Sequence, residues 1–118
     1  PVDDDAKQVP FGEAEPGATG LELLLPLTLK WAGEMQLSLN TALARVTCDA
    51  ARVLGIPAGT LSVGAAADIC LFDPCGSIRL TRESLKSQGK NTPFPGLELP
   101  GRVRCTLIEG HVAFENGR

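Results

Sequence analysis

Apolar residues recur at steps of three and four between residues 21 and 29, which is the spacing of one face of an α-helix. The positions on this predicted face are Leu21, Leu24, Leu25, Thr28 and Leu29. Thr19 and Glu22 have the spacing of a capping box, in which each side chain bonds a backbone N–H at the helix start. Pro26 is expected to bend the helix, because proline has no N–H and its ring clashes with the preceding turn.

Two shorter helices are predicted next. Ser38 is a suitable N-cap for a helix that runs to Val46, and Asp49 is expected to cap a third helix that ends at Gly55. The apolar face of the second helix would consist of Leu39, Ala42, Leu43 and Val46. Beyond Gly55 the pattern changes to short apolar runs separated by Gly and Pro, which favours strands. We therefore predict a boundary near residues 55 to 60.

Two strand patterns follow that boundary. A first strand containing Ile69 and Leu71 is expected to end at Asp73-Pro74. In a second strand Val103, Cys105 and Leu107 alternate with polar residues. Glu109-Gly110 should then turn the chain into a return strand at residues 111–114, with Gly110 at the positive φ of a hairpin turn.

Two stretches have no period and are predicted to be loops. Residues 1–18 are rich in proline and charge, and the adjacent aspartates at positions 3–5 are interpreted as a solvated face rather than a cation site. Residues 88–96 form a connector in which Lys90 and Asn91 could contact a ligand. A structural role is favoured there, with Asn91 bonding within its own loop and Phe94 filling an apolar gap.

Gly17 and Gly20 lie where the first loop meets the first helix. Glycine lets a backbone approach a ligand closely, and a helix N-terminus favours an anionic or carbonyl group. A plain loop-to-helix junction is the alternative interpretation of this short motif.

Length and charge limit the classes of function. The 118 residues suffice for one domain, and 43% are hydrophobic and 21% charged. A net charge of −3 and 4% aromatic residues argue against a nucleic-acid partner. No apolar run reaches the roughly 20 residues that span a bilayer, and no secretory leader pattern is seen, so a cytoplasmic location away from membranes is predicted.

The residues that usually carry hydrolytic chemistry are sparse. The only imidazole, His111, falls in a predicted strand, so a serine triad has no base. Four cysteines without a C-x-x-C pair are predicted to be small buried hydrophobes in a reducing compartment rather than zinc ligands. They are Cys48, Cys70, Cys75 and Cys105. We expect neither a catalytic residue nor a metal ligand in this chain.

Three groups of motifs resemble dihydroorotases of the amidohydrolase superfamily. The segment after the last barrel strand of those enzymes is similar to Pro10-Phe11, Pro16-Gly17, Gly20-Leu-Glu22 and Leu25-Pro26-Leu27. The carboxy-terminal β segment of the superfamily resembles Gly59-x-Leu61-x-x-Gly64-x-x-Ala67-Asp68-Ile-Cys-Leu-Phe-Asp73. Dihydroorotases of the longer type are similar at residues 87–94 and Gly96, and at Gly101-x-Val103 and Glu109-Gly110.

The resemblance implies an α/β chain that is the carboxy-terminal portion of a larger enzyme. Residues 1–54 would be the last loop and helices of a (β/α)8 TIM-like barrel, and residues 55–118 the carboxy-terminal part of a small β-sandwich. Members of the family use zinc, held by barrel histidines and a carboxylated lysine, for the reversible hydrolysis of dihydroorotate to N-carbamoyl-aspartate in pyrimidine biosynthesis. The catalytic and metal-binding residues would lie upstream of Pro1, so this portion alone would be inactive and would bind no zinc.

Within this chain the resemblance assigns substrate contact to the backbone of Pro16 and Gly17. One departure concerns Val2, which stands where many members have a substrate-binding histidine, so a hydrogen-bond donor is lost. Two alternatives stay open: an active, homo-oligomeric dihydroorotase, or a non-catalytic dihydroorotase-like subunit that assembles with aspartate carbamoyltransferase. A free-standing β-rich binding module is a third hypothesis, in which the leucine-rich face of residues 21–29 would need a large partner surface.

Overall fold

The computed structural model describes residues 5–116, in which three helices are followed by three strands. The helices are α1 (Leu24–Glu34), α2 (Leu39–Val46) and α3 (Cys48–Leu54), and the strands are β1 (Ile69–Arg79), β2 (Glu98–Ile108) and β3 (His111–Glu115). Short 3-10 turns occupy Asp5–Lys7 and Leu21–Leu23. The predicted mixture of helix and strand is confirmed. The described residues hold one sheet, so the β-sandwich stays a prediction.

The start of α1 differs from the prediction. No side chain caps the 3-10 turn or α1, so the capping box is wrong: tertiary contacts engage both Thr19 and Glu22. Leu21 and Leu24 are exposed, so two positions of the predicted face do not point into the core. The buried stripe instead contains Leu23, Pro26, Thr28, Leu29 and Ala32. Pro26 is the third residue of α1. The N–H groups of the first turn have no acceptor within the helix, so a proline at this position costs no hydrogen bond and the helix continues through it.

The second and third helices agree closely with the sequence pattern. Ser38 is the N-cap of α2, and its hydroxyl oxygen accepts from the N–H of Thr41 at 3.2 Å. Gly55 ends α3 in the left-handed conformation with φ of 67°, as a C-terminal glycine should. Asp49 is not the cap that was predicted, because it lies inside the first turn of α3. Its carboxylate instead pairs with Arg45 and Arg52.

The three strands form an antiparallel sheet in the order β1-β2-β3. β1 was expected to end at Asp73-Pro74, but it continues to Arg79. Asp73 pairs with Arg102 and Ser77 with Pro100, so β1 accommodates extra residues in an irregular stretch that contains Pro74. Proline is tolerated in such a stretch because its position there requires no N–H to hydrogen-bond the neighbouring strand. The side chain of Asp73 supports the irregularity by accepting from the N–H of Cys75 at 3.0 Å.

The hairpin between β2 and β3 has the predicted position. Glu109 and Gly110 connect the strands with φ of 50° and 81°, the left-handed pair that suits a two-residue hairpin. The N–H of Glu109 also donates to Asp68 at 2.8 Å, so the turn is tied to the chain that precedes β1.

Helix α1 packs against β2, and the core includes residues from both the helical and the strand-rich parts of the chain. Leu23, Leu80 and Leu85 form a buried cluster, against which Leu27 and Phe94 pack. The prediction that Phe94 fills an apolar gap is confirmed. No helix within residues 5–116 is both long enough and apolar enough to cross a bilayer.

Candidate functional site

The loop that leads into α1 exposes the two residues assigned to substrate contact. Pro16 and Gly17 are both exposed, and Gly17 has φ of 119°, a conformation that side-chain-bearing residues rarely adopt. The glycine therefore permits a backbone path here that other residues would resist. Val2, where the family resemblance implies that many members have a histidine, lies outside the described residues.

Two side chains from different parts of the chain hold the carbonyl oxygen of Gly17. Lys7 Nζ donates to it at 2.8 Å, and Asn91 Nδ2 donates to it at 3.1 Å. Lys7 also donates to the carbonyl oxygen of Glu15. The loop is thus exposed to solvent at Pro16 and Gly17, while the carbonyl oxygen of Gly17 is fixed by two hydrogen bonds.

Backbone and side-chain bonds extend this attachment through Thr19. Its N–H donates to the carbonyl oxygen of Asn91, and its hydroxyl donates to that of Gly89 at 2.8 Å. Thr19 is buried, so these bonds replace water that the side chain cannot reach. The interpretation that Asn91 bonds within its own loop is corrected: both of its bonds run to residues 17–19.

Glu22 makes the second attachment between the same two segments. Its carboxylate oxygens accept from the N–H groups of Lys86 and Ser87, each at 2.9 Å. Partial desolvation tends to raise the pKa of Glu22, but these two backbone hydrogen bonds, the Ser87 side chain and the charge of Lys90 together outweigh it and the net pKa is lowered. The carboxylate therefore stays ionised at neutral pH and clamps residues 86–87 to the start of the helical region. We call residues 17–22 with residues 86–91 the loop clamp.

Sequence reasoning named most members of the loop clamp but assigned them local roles. Thr19 and Glu22 have capping spacing, and Asn91 sits in a turn-rich connector, so a local partner was expected for each. Lys7 lies outside the loop clamp but also bonds Gly17, and the sequence around it contains no pattern that predicts this contact. The partners lie 64 to 74 residues apart along the chain for Glu22, Thr19 and Asn91. No local period encodes contacts of that separation.

A cleft of about 340 Å³ lies beside the loop clamp. It is lined by Lys7, Gln8, Thr81, Arg82, Lys90, Asn91, Thr92 and Pro95. Three of these side chains are cationic and none is acidic, although the nearby carboxylate of Glu83 interacts with Arg82 and Lys90. The positive charge and the polar groups suit an anionic or carbonyl-bearing ligand. Lys90 Nζ donates to the carbonyl oxygen of Leu85 at 2.7 Å, so one wall of the cleft is braced by its own loop.

Larger apolar cavities lie elsewhere in the chain. One of about 520 Å³ separates α1 and α2 from β1 and has Leu25, Leu43 and Phe72 in its walls. Another of about 500 Å³ includes Pro26, Val103 and Phe114. The larger share of the surface that lines each cavity is apolar, so both resemble packing surfaces more than reaction sites.

His111 and the four cysteines were set aside as candidates for catalysis and metal binding. His111 is exposed at the start of β3. The prediction that the cysteines are buried is wrong: all four are free thiols, with Cys70 and Cys75 exposed and Cys48 and Cys105 partly covered. Between residues 5 and 116 no group of three or more His, Cys, Asp and Glu side chains could hold a metal ion. These residues therefore do not fit a zinc centre.

Comparison with known proteins gives this geometry a family context. The model of the amidohydrolase family matches residues 13–113. A protein of Pseudomonas aeruginosa named dihydroorotase-like protein is 51% identical over 98% of the chain and 27% of its own length. A dihydroorotase of Geobacter sp. strain M21 is 39% identical over 96% of the chain and 27% of its own length. The chain thus spans about a quarter of the length of these relatives.

Solved structures share the same arrangement of elements. A D-hydantoinase (dihydropyrimidinase) from Thermus sp. superposes with a TM-score of 0.86 over 100% of the chain and 27% of its own. At 22% identity this likeness concerns the fold alone. Residues arranged as in the present structure therefore occur as one part of larger proteins.

Proposed function

The chain belongs to the amidohydrolase family, and from that premise we propose that it is the carboxy-terminal portion of a cyclic amidohydrolase acting on dihydroorotate. The reaction is the reversible hydrolysis of the ring amide to N-carbamoyl-aspartate, a step of pyrimidine biosynthesis, in the cytoplasm. Residues 1–54 would complete a (β/α)8 barrel and residues 55–118 a small β-sandwich. The similarity to dihydroorotases over almost the whole chain supports this substrate.

The observation that carries the proposal is the fixed backbone at Gly17. A loop that contacts a substrate must hold its backbone in one geometry, because displacement of a positioned group costs rate. Lys7 and Asn91 fix the Gly17 carbonyl, and Thr19 anchors the next turn. Pro16 and Gly17 would form one wall of the substrate pocket, with no side chain at Gly17 to obstruct it.

The charge of the neighbouring cleft supports an anionic substrate. Dihydroorotate carries a carboxylate, and its product carries two. Lys7, Arg82 and Lys90 line the cleft, and the part of their positive charge that nearby Glu83 does not offset would raise the local concentration of an anion. The cleft would thus favour approach of the substrate to the wall formed by Pro16 and Gly17.

The chemical step is proposed to lie outside these residues. Members of the family are typically metal-dependent, and a bound zinc would activate water by lowering its pKa. Residues 5–116 do not fit such a centre. In the proposed enzyme this chain supplies one wall of the substrate pocket and completes the barrel and the β-sandwich. Other parts of the protein supply the metal ligands and the base.

The surface of the chain supports packing against a larger body. Its accessible area is 8522 Å², against roughly 6,100 Å² expected for a compact monomer of this mass. Its radius of gyration is 16.2 Å, against roughly 13.5 Å for a compact domain of this length. Both excesses are what a segment that completes a larger fold would show. The first proposed partner is therefore the rest of the same barrel, and a homo-oligomer of the whole enzyme is the second.

Two enzyme assays test the proposal. The larger protein that contains these residues, here called the complete protein, should hydrolyse dihydroorotate when loaded with zinc. The 118-residue chain with added zinc should not. Turnover by the short chain would contradict the location proposed for the metal site, and zinc-loaded complete protein without turnover would contradict the enzyme assignment.

One observation favours a second candidate, a non-catalytic subunit that assembles with aspartate carbamoyltransferase. The chain is 51% identical to the protein of Pseudomonas aeruginosa, whose name states a likeness to dihydroorotases rather than their activity. It is 39% identical to the Geobacter protein named dihydroorotase. The loss of a histidine at Val2 agrees with weakened substrate binding. Stable association of the complete protein with aspartate carbamoyltransferase, without hydrolysis, would select this candidate. An intact set of metal-binding histidines would select the enzyme.

A further inference from the structure

Gly17 is held by donors that come from opposite directions along the chain. Lys7 lies ten residues before it and Asn91 lies 74 residues after it, yet both donate to one carbonyl oxygen. A carbonyl oxygen has two lone pairs, so these two donors meet its full capacity. Every hydrogen bond found at Gly17 within residues 5–116 uses this oxygen. The orientation of the peptide plane is therefore set by two side chains.

Glycine at this position needs such support. Without a side chain it samples a wide range of backbone angles, so its native conformation at φ of 119° is costly to maintain by local preference alone. The residue before it, Pro16, fixes its own φ but leaves the rotation about Gly17 open. Hydrogen bonds from outside the loop are what restrict that rotation.

Asn91 makes two contacts of different kinds. Its backbone carbonyl accepts from the N–H of Thr19, and that bond joins the two segments whatever side chain is present. Within residues 5–116 its side-chain amide donates only to Gly17. Loss of the side chain should therefore leave the segments joined, and it should release Gly17. The two functions can be separated by mutation.

We propose that Asn91 is a positioning residue for substrate binding, acting through the Gly17 carbonyl to orient the wall formed by Pro16 and Gly17. This role rests on the proposed function, since it takes the Gly17 backbone to face the substrate. Asn91 also lines the neighbouring cationic cleft, so its substitution changes the surface of that cleft as well. Lys7 is the second donor to the same oxygen and limits the effect of losing either one.

The variants are Asn91→Ala and Asn91→Asp in the complete protein, with Asn40→Ala as matched control. Asp has the shape of Asn but presents a carboxylate oxygen to the Gly17 carbonyl, so it removes the donor without leaving space. Asn40 is exposed on α2, far in sequence from the loop clamp. Lys7→Met removes the other donor and serves as an independent variant at the same oxygen.

We expect kcat/KM for dihydroorotate to fall about tenfold in Asn91→Ala, the effect of one lost hydrogen bond, and further in Asn91→Asp. The loss should appear mainly in KM, with a fall in the melting temperature of no more than about 2 °C, the effect of one lost hydrogen bond in a large protein. Asn40→Ala should match the parent protein. A fall in kcat with unchanged KM and a larger fall in the melting temperature would indicate a structural role and overturn the proposal, as would unchanged kinetics in both Asn91 variants.

NMR relaxation of the backbone amides separates this inference from the proposed function. In Asn91→Ala the order parameters of the Gly17 and Ala18 amides should fall, while that of Thr19, bonded to the Asn91 carbonyl, should be unchanged. If the parent protein does not hydrolyse dihydroorotate, the proposed function fails. Lower order parameters at residues 17 and 18 would then still support the role of Asn91 in fixing Gly17, and unchanged order parameters would overturn it.

Discussion

At the scale of single residues, Gly101 shows how one missing side chain sets the distance between α1 and β2. It lies in β2 with φ of 88°, and a β-carbon built on it would overlap the side chain of Leu29. Leu25, also on α1, borders the same space. Helix and sheet can approach this closely because the strand offers bare backbone at the point of contact. Leu29 is buried as a result.

Replacing Gly101 with alanine should therefore destabilise the protein. Overlap with Leu29 and the unfavourable backbone angle should together lower the free energy of unfolding by about 1–3 kcal/mol. Urea unfolding of the complete protein measures this. The matched control is Gly33→Ala in α1, where an added β-carbon meets nothing within 4 Å. That change should be neutral or raise stability by about 0.5 kcal/mol, since alanine favours helix. Equal effects of the two substitutions would contradict the packing described.

Glu22 gives a prediction about pH. Its folded pKa lies below the ordinary value of 4.5, because hydrogen bonds to the ionised carboxylate outweigh its desolvation. A lowered folded pKa stabilises the fold above the unfolded pKa, and this contribution is lost as pH falls through the folded pKa. At pH 7, Glu22→Gln should lower the free energy of unfolding by about 1 kcal/mol, because one of the two backbone hydrogen bonds is lost.

The difference between the parent protein and Glu22→Gln should shrink as the pH falls below 4.5. Denaturant unfolding at a series of pH values measures it. Glu34→Gln is a suitable control, since Glu34 pairs with Lys30 on an exposed helix surface and its substitution should have a small effect. A difference that is constant from pH 7 to pH 3 would show that the charge of Glu22 contributes nothing to the loop clamp.

At the scale of elements, the turn of the β2–β3 hairpin begins with a glutamate, although its backbone conformation favours asparagine, aspartate or glycine at that position. Glu109 has φ of 50°, although a glutamate rarely adopts a left-handed conformation. Gly110 meets the same requirement at no steric cost. The N–H of Glu109 donates to Asp68, so the turn gains a bond that offsets part of the strain. The element is thus locally strained and externally supported.

We expect Glu109→Asn to stabilise the hairpin by about 0.5 kcal/mol, because Asn-Gly is the preferred pair for this turn and the backbone bond to Asp68 is kept. Thermal unfolding of the complete protein measures the shift. Gly110→Ala is the opposing variant and should destabilise, since alanine would have to adopt φ of 81°. Destabilisation by Glu109→Asn would imply that the glutamate side chain makes a contact of its own.

At the scale of the whole molecule, much of the apolar surface faces outward. Leu21, Val53 and Leu61 each expose more than four-fifths of their surface, and Phe11 and Val63 are fully exposed. The fully buried large side chains are Leu23, Leu80 and Leu99. Exposed apolar surface on this scale is typical of a segment covered by a partner. The described residues thus carry a small core and a large uncovered surface.

The 118-residue chain by itself should therefore self-associate and bind a dye that reports exposed apolar surface, such as ANS. The complete protein should not bind the dye and should form only an oligomer of defined size at the same concentration, because its other parts cover these side chains. Light scattering and dye fluorescence measure the difference. A monodisperse, dye-negative monomer that melts cooperatively would support the free-standing binding module instead.

The sequence by itself predicted those elements whose signals are local. The Ser38 cap, the Gly55 stop and the Glu109-Gly110 turn were each readable because the residue that specifies the conformation lies within a few positions of it. The family resemblance was carried by such short motifs too, and the match to the amidohydrolase family over residues 13–113 confirmed it. The assignment of Pro16 and Gly17 to substrate contact stays a prediction, although the structure places both on the exposed face of a fixed loop.

Only the tertiary structure decided what holds that loop. Thr19, Glu22 and Asn91 can each satisfy a local backbone group, so spacing alone favoured caps and turns. In the folded chain they bond across 64 to 74 residues instead. Likewise β1 passes through Pro74 because Asp73 and the irregular pairing with β2 accommodate it. A polar side chain takes whichever partner the packing of Leu23, Leu80 and Leu85 brings within reach, and that packing has no local signature in the sequence.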